Sequence, residues 1–225
     1  MAKSEQYRKL DETGIATPRW CVLEASTRLS RQDWGDYVVL KPDMGLRGQD
    51  VQIENINRVN GEKYKDSKES LLVQQFVYTG PEPVSYRVLT LFGKVLYLVS
   101  CRNTNCGERL SGPNGFYETS GHNIVASAQG SIRELVDDAS IRQFAEGVAT
   151  RSFPDVPLLG FDVMKDADTG LLYVAEANPY GQTWHFSSEN GQRLQRDNGI
   201  NYAAQFGAFD IAASRLIDVA RERAI

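Results

Sequence analysis

The chain has 225 residues, 41% hydrophobic and 24% charged, which is enough for one large globular domain or two smaller lobes. Its net charge of −4 and the absence of an apolar run of ~20 residues argue against a nucleic-acid partner and a membrane partner. Three cysteines and two histidines at unsuitable spacings exclude a zinc cluster and a disulfide framework, so we expect reduced thiols and a cytoplasmic protein.

The first half of the chain predicts a helix followed by strands. Residues 3–13 are polar and end at a glycine, which is typical of a short helix. Apolar and β-branched runs then predict strands over 18–24, 37–42, 70–77, 84–92 and 94–102. The tight-turn signal Phe92-Gly93-Lys94 makes the last two strands a hairpin.

The second half begins with residues 103–130, which are rich in Asn, Gly and Ser and predict a long loop. A helix over 137–153 follows, with aspartates at its N-terminus, and then a second hairpin with strands over 157–166 and 171–179. The chain ends in a helix. Helical spacing predicts that it buries Phe209, Ala212, Leu216 and Val219.

An acid and an amide lie two residues apart in the strand "YVAEANPYG". Glu176 and Asn178 therefore share a face, and an inward-facing acid is costly without a partner. Pairing across the second hairpin predicts that Asp162 lies close to Glu176, which makes three oxygen-bearing side chains suited to Mg²⁺. The alternative is that Glu176 pairs with an arginine and Asn178 caps a turn.

Cations in the first half are candidates to bind phosphate. Lys41 ends a buried strand, and the turn "GLRG" at 45–48 offers backbone N–H groups to phosphate oxygens, although such a turn is weak evidence alone. The sequence contains neither a Walker A loop nor a Rossmann fingerprint. Arg87 and Arg102 either stabilise charge on a transferring phosphoryl group or pair with surface acids.

The order of these segments resembles the ATP-grasp superfamily. The matching series, which spans nearly the whole chain, is "GIATP", "YVVLKPDMGLRG", "LLVQQFVYTGPE", "SYRVLTLFGKVLYLVSCR", "GFDVM" and "YVAEANP". It is most similar to D-alanine–D-alanine ligase, glutathione synthetase and the ribosomal-protein glutamate ligases. The resemblance implies an α+β ATP-grasp fold in which two lobes enclose a nucleotide cleft, the smaller lobe over residues 14–77 and the lobe with the metal site over 78–225.

The resemblance also implies roles for individual residues. The expected nucleotide-binding residues are Lys3, Lys41, Gly45, Arg47, Gly48, Gln74, Gln75, Phe76, Val77 and Glu82. Within this set the two lysines contact phosphate, residues 74–77 meet the adenine and Glu82 holds the ribose. Arg87 and Arg102 are the expected catalytic residues at the transferred phosphate, and the expected metal ligands are Asp162, Glu176 and Asn178. Substrate contacts are expected from Asn123, Thr183, Trp184 and His185; the alternative for Trp184 is packing against the C-terminal helix.

By this resemblance the function is ATP-dependent carboxylate–amine ligation, forming a C–N bond through an acyl phosphate. The implied cofactors are ATP and Mg²⁺ or Mn²⁺, and the substrates are small-molecule or peptide carboxylates and amines. The sequence lacks the N-terminal α/β domain of these ligases, so the chain is either a natural short form or a fragment, and a partner protein can supply that domain. Two alternatives remain: a kinase acting on a hydroxyl, and an ATP-binding regulatory or partner module without independent activity.

Overall fold

Two antiparallel sheets carry the fold in a computed structural model of the chain. The structure describes residues 1–45, 50–59, 61, 70–107, 110–114, 124–178 and 186–224. Its strands are β1 (Trp20–Val22), β2 (Tyr37–Pro42), β3 (Gln52–Asn55), β4 (Leu71–Gln75), β5 (Val84–Leu91), β6 (Lys94–Arg102), β7 (Ile132–Leu135), β8 (Leu158–Lys165) and β9 (Leu172–Asn178). Its helices are α1 (Lys3–Glu12), α2 (Arg31–Trp34), α3 (Ala139–Ser152), α4 (Glu189–Asn198), α5 (Tyr202–Gln205) and α6 (Ala208–Arg223), with a 3₁₀ turn at Ile56–Arg58.

The first sheet has the strand order β1-β4-β2-β3. Its centre is β2, where the run "YVVLKP" is buried from its second residue onwards, as expected of a strand covered on both faces. Val39 lies opposite Gln74 on β4, and Lys41 lies opposite Leu72. Because the two strands are antiparallel, Lys41 at the end of β2 lies beside the start of β4.

The second sheet has the strand order β7-β6-β5-β8-β9. Both predicted hairpins are confirmed: β5 pairs with β6 through the turn at Phe92 and Gly93, and β8 pairs with β9. Gly93 has a φ of 79°, and its neighbour Phe92 also has a positive φ of 45°, as a tight two-residue turn requires. The register places Arg87 of β5 opposite Asp162 of β8.

Helix α3 covers one face of the second sheet. Its buried residues Ile141, Ala145 and Val148 recur at helical spacing and pack into the main core cluster. The helix begins as predicted, because the Asp138 carboxylate accepts hydrogen bonds from the N–H groups of Ser140 and Ile141. Helix α1 joins the same cluster through Tyr7 and Leu10, so the first helix of the chain packs with the second sheet.

The predicted burial of the C-terminal helix is wrong in two of its four residues. Phe209 is 66% exposed and Leu216 is 52% exposed, whereas Ala212 and Val219 are half-buried. Ala208, Ile211 and Ala212 instead face the cluster around Tyr97, because α6 lies against β6 with the side of the helix that carries them. In the described parts of the chain, no helix combines the length and apolar character needed to cross a membrane.

Candidate functional site

A cleft lies between the two sheets. The first sheet contributes residues of β2 and β4, and the second contributes residues of β5, β8 and β9. Most of the lining is apolar, including Val39, Val51, Phe76, Val77 and Met164. The charged lining residues are Lys3, Lys41, Asp162 and Glu176. The cleft therefore combines an apolar slot with a small group of opposite charges.

Lys41 is buried at the wall of this cleft. Its ammonium donates hydrogen bonds to the Tyr7 hydroxyl, with Nζ 2.7 Å from Oη, and to the Ala175 carbonyl at 3.3 Å. Burial lowers the pKa of Lys41 to about 7, although the nearby Glu176 carboxylate opposes the shift. An anion entering the cleft would favour the charged form of this lysine.

Lys3 reaches the cleft from the first turn of α1. Its ammonium donates to the Gly45 carbonyl at 2.9 Å and lies 3.8 Å from the Glu176 carboxylate. Asp43, just after β2, holds this end of the helix. Its carboxylate accepts from the Ser4 amide and the Ser4 hydroxyl at 2.8 Å each, and its carbonyl accepts from the Lys3 amide at 3.0 Å.

The two cleft carboxylates face each other on neighbouring strands. Asp162 of β8 is opposite Glu176 of β9, next to a β-bulge at Asp162/Val163. Burial raises the pKa of Asp162, the charge of Glu176 raises it further, and Arg87 opposes the shift. Two close carboxylates repel each other, so this pair is a suitable place for a cation.

The donor set fits a hard divalent ion that takes few protein ligands. Among the described residues there is no cluster of three or more His, Cys, Asp and Glu side chains arranged for a metal. Two carboxylates with the carboxamide of Asn178, which ends β9 two residues after Glu176, are oxygen donors of the kind Mg²⁺ takes alongside phosphate oxygens. Asn178 is half-buried and does not line the cleft.

Both candidate arginines pair with acids. Arg87 Nε lies 2.9 Å from Asp162 Oδ1, and both side chains are largely buried. Arg102 Nη1 lies 2.9 Å from Glu82 Oε2. Neither Glu82 nor Arg102 lines the cleft. The structure thus places Arg87 beside the carboxylate pair and keeps Glu82 and Arg102 with each other.

The segment from Gln74 to Val77 runs along the cleft. Gln74, Phe76 and Val77 line it, whereas Gln75 does not. Gln74 is buried, and its carboxamide oxygen accepts a hydrogen bond from the Tyr7 hydroxyl at 2.9 Å. This bond ties the Gln74 side chain to helix α1. Within this segment, the apolar contacts to the slot come from Phe76 and Val77.

Solved structures of similar architecture decide the fold. D-alanine–D-alanine ligase from Bacillus anthracis complexed with ATP is 17% identical, with a TM-score of 0.54, over 96% of this chain and 66% of that one. ATP-grasp ligase PsnB complexed with a phosphomimetic variant of a minimal precursor, Mg and ADP is 14% identical, with a TM-score of 0.60, over 94% and 59%. D-cycloserine synthetase DcsG is 16% identical, with a TM-score of 0.54, over 79% and 61%. This chain has the ATP-grasp fold.

The predicted α+β ATP-grasp fold is therefore confirmed. The chain spans 59% to 66% of the length of these three ATP-grasp neighbours' own chains. No protein-family profile and no curated protein sequence matches it.

Some of the predicted site residues lie outside the part of the chain that the structure describes. The residues concerned are Arg47, Gly48, Asn123, Thr183, Trp184 and His185. Gly45, at the start of the glycine turn, lines the cleft and accepts from Lys3.

The sequence analysis missed two residues that hold the cleft lysines without lining the cleft, Tyr7 and Asp43. Tyr7 follows Lys3 by four residues and therefore lies on the same face of α1, a signal that the sequence carried. Asp43 follows "YVVLKP" by one residue, but nothing in the sequence shows that it contacts α1.

Proposed function

We propose that this chain binds Mg²⁺–ATP in the cleft and uses it to ligate a carboxylate to an amine. The observation that carries the proposal is the meeting of Lys3, Lys41, Asp162 and Glu176 at one cleft of an ATP-grasp fold. Ammonium groups beside paired carboxylates match the charges of a triphosphate and its divalent ion. The D-alanine–D-alanine ligase neighbour is complexed with ATP, and the PsnB neighbour with Mg and ADP.

In this proposal the apolar slot holds the adenine. Phe76 and Val77 contact the base from the segment after β4, and Met164 contacts it from β8. Lys3 and Lys41 bind the phosphates at the charged side of the cleft. The proposal also divides the chain into a smaller lobe that ends at residue 77 and a second lobe that follows it. This division is supported by the two sheets, since the strands of the first lie within residues 20–75 and those of the second within 84–178.

The metal ligands in this proposal are Asp162, Glu176 and Asn178. Mg²⁺ bound there would neutralise part of the charge of the triphosphate. Arg87 adds positive charge beside the reacting phosphate, which reduces the repulsion between that phosphate and an incoming carboxylate. These groups act by orientation and charge.

The proposed reaction has two steps. A carboxylate oxygen of the substrate attacks the γ-phosphorus, the bond between that phosphorus and the bridging oxygen breaks, and ADP leaves with an acyl phosphate formed. The amine then attacks the acyl carbon, the C–N bond forms, phosphate leaves and the amine gives up a proton. The energy of ATP activates the carboxylate, so the chain needs no nucleophilic side chain of its own.

Calorimetry with ATP and MgCl₂ tests the binding half of the proposal. We expect saturable heat that Lys41→Met reduces strongly and Lys94→Met, which removes an exposed lysine paired with Glu146, does not. The absence of heat from the wild-type protein would reject nucleotide binding.

Hydroxylamine trapping tests the ligase half. The protein, Mg²⁺–ATP and hydroxylamine are incubated with a panel of amino acids, other small carboxylates and short peptides, and ADP and hydroxamate are both measured. A ligase releases ADP and yields a hydroxamate with its substrate. ADP release that depends on a hydroxyl compound, without hydroxamate, would instead show a kinase.

A further inference from the structure

The Tyr7 hydroxyl lies buried directly behind the Lys41 ammonium. Tyr7 is 1% exposed, and its Oη is 2.7 Å from Lys41 Nζ, 2.9 Å from Gln74 Oε1 and 2.7 Å from the Ala175 carbonyl oxygen. The Tyr7 ring contributes as well, since Lys41 Nζ is 4.8 Å from its centroid. These contacts join α1, both sheets and the cleft lysine at one point.

The proton of the hydroxyl has only two destinations. The Ala175 carbonyl can only accept a hydrogen bond, and the Gln74 carboxamide oxygen also accepts. The single Tyr7 proton therefore points to one of these oxygens, and a lone pair of Oη is left facing the ammonium. The surroundings thus orient the hydroxyl as an acceptor for Lys41.

We propose that Tyr7 is a positioning residue that holds the Lys41 ammonium ready for the phosphates of a nucleotide. The inference rests on the proposed function. Trp20, whose ring centroid is 5.4 Å from that of Tyr7, supports the ring from the first sheet.

A neutral acceptor suits this task better than an acid. The charged groups around Lys41 are Glu176, Lys3, Asp162 and Asp43, and burial disfavours its charged form. Tyr7 stays protonated, because burial raises its pKa. It therefore stabilises the ammonium without cancelling its charge, and that charge remains for an anion.

A double-mutant cycle tests whether Tyr7 acts through Lys41. ATP affinity is measured with Mg²⁺ for the wild type, Tyr7→Phe, Lys41→Met and the double variant. Loss of one hydrogen bond to a charged group should weaken binding by about ten- to a hundredfold in Tyr7→Phe. The same substitution should change affinity less than about threefold in the Lys41→Met background. An equal loss in both backgrounds, or none in either, overturns the proposal.

A second measurement separates this inference from the proposed function. The pKa of the Lys41 ammonium is measured by NMR without nucleotide in the wild type, in Tyr7→Phe and in Tyr86→Phe. Tyr86 packs against the same core, and its hydroxyl makes no hydrogen bond with any described residue. We expect Tyr7→Phe to lower this pKa by about one unit or more and Tyr86→Phe to leave it unchanged. If the Lys41 pKa is the same in Tyr7→Phe as in the wild type, the inference is overturned. If Tyr7→Phe lowers that pKa but the wild-type protein binds no ATP, only the proposed function is overturned.

Discussion

The Arg87 guanidinium and the Asp162 carboxylate form a buried ion pair, with Nε 2.9 Å from Oδ1, between neighbouring strands β5 and β8. The residue proposed to face the transferred phosphate is therefore paired with a proposed metal ligand. A divalent ion bound by Asp162 would compete with the guanidinium for the same carboxylate. The pair thus links metal binding at Asp162 to the buried charge of Arg87, which lies behind that carboxylate and does not line the cleft.

We expect Asp162→Asn to destabilise the protein by about 3 kcal/mol, because it leaves the buried charge of Arg87 without its carboxylate. Urea unfolding measures the loss. Asp218→Asn, which breaks the exposed Arg215–Asp218 pair, should cost less than about 1 kcal/mol. The double variant Asp162→Asn with Arg87→Met should lose less stability than the sum of the two single variants. Strict additivity would show that the pair is not coupled in solution.

Glu176→Ala should weaken Mg²⁺–ATP binding at least tenfold and abolish ADP release in the hydroxylamine assay, because it removes a metal ligand. In EDTA the affinity for ATP should stay the same or rise, since a negative charge has left the cleft. The fold should persist, because the Glu176 side chain is 30% exposed. Glu146→Ala, at the surface pair with Lys94, is the control. Equal losses with Mg²⁺ and with EDTA would contradict the metal assignment.

The lowered pKa of Lys41 predicts how stability depends on pH. The pKa is about 7 in the folded state and 10.5 in the unfolded reference, so between these values the unfolded chain binds more protons. The free energy of unfolding of the wild type, relative to Lys41→Met, should therefore rise as pH increases from 7. The slope is at most about 1.4 kcal/mol per pH unit.

Urea unfolding at pH 7, 8 and 9 without nucleotide measures this difference, with Lys94→Met as the control for loss of a lysine at the surface. A difference between wild type and Lys41→Met that is flat, or that falls with pH, would show that Lys41 keeps its charge in the folded protein.

Asp43→Ala should detach the start of α1. The carboxylate satisfies the otherwise unpaired Ser4 amide of the first helical turn, so its removal should cost about 1 kcal/mol. Because the same turn carries Lys3, ATP affinity should fall as well. Amide hydrogen exchange over residues 3–7 should become faster.

Asp138→Ala is the matched control for Asp43→Ala. Asp138 accepts from the amides of Ser140 and Ile141 at the start of α3, away from Lys3. It should lose stability without a comparable loss of ATP affinity. If both variants lose the same affinity, the position of Lys3 does not depend on Asp43.

The sequence predicted the strands because β-branched runs and turn residues are local signals. The regular pairing next to the β8–β9 turn would set Asp162 opposite Ala175, and the β-bulge at Asp162/Val163, which no sequence signal revealed, sets it opposite Glu176. The role of Tyr7 was not visible, because its partner Ala175 is 168 residues away along the chain. For α6, helical spacing correctly placed Phe209 and Leu216 on the same face of the helix. Spacing alone does not show which face of a helix is buried, and in the structure both of these side chains are exposed.

Short elements were missed for a similar reason. The four residues of β7 contain two charged side chains, so the segment has no strand pattern of its own and depends on pairing with β6. Helix α4 is strongly polar, and its burial is limited to Gly191 and Leu194. For the substrate side, the residues expected from the sequence remain predictions.

The docking of α1 has a consequence for the order in which the protein is made. Gln6 accepts a hydrogen bond from the Ala177 amide, and Tyr7 donates to Ala175, so α1 binds a strand whose Ala175 leaves the ribosome 168 residues after Tyr7. During translation α1 can contact Asp43, Lys41 and Gln74 early, but its contacts with β9 form only after that strand has emerged. Contacts of such high sequence separation form late. Nascent chains halted before residue 175 would therefore lack an assembled cleft, so a nucleotide that binds there as proposed would stabilise only chains extended beyond that residue.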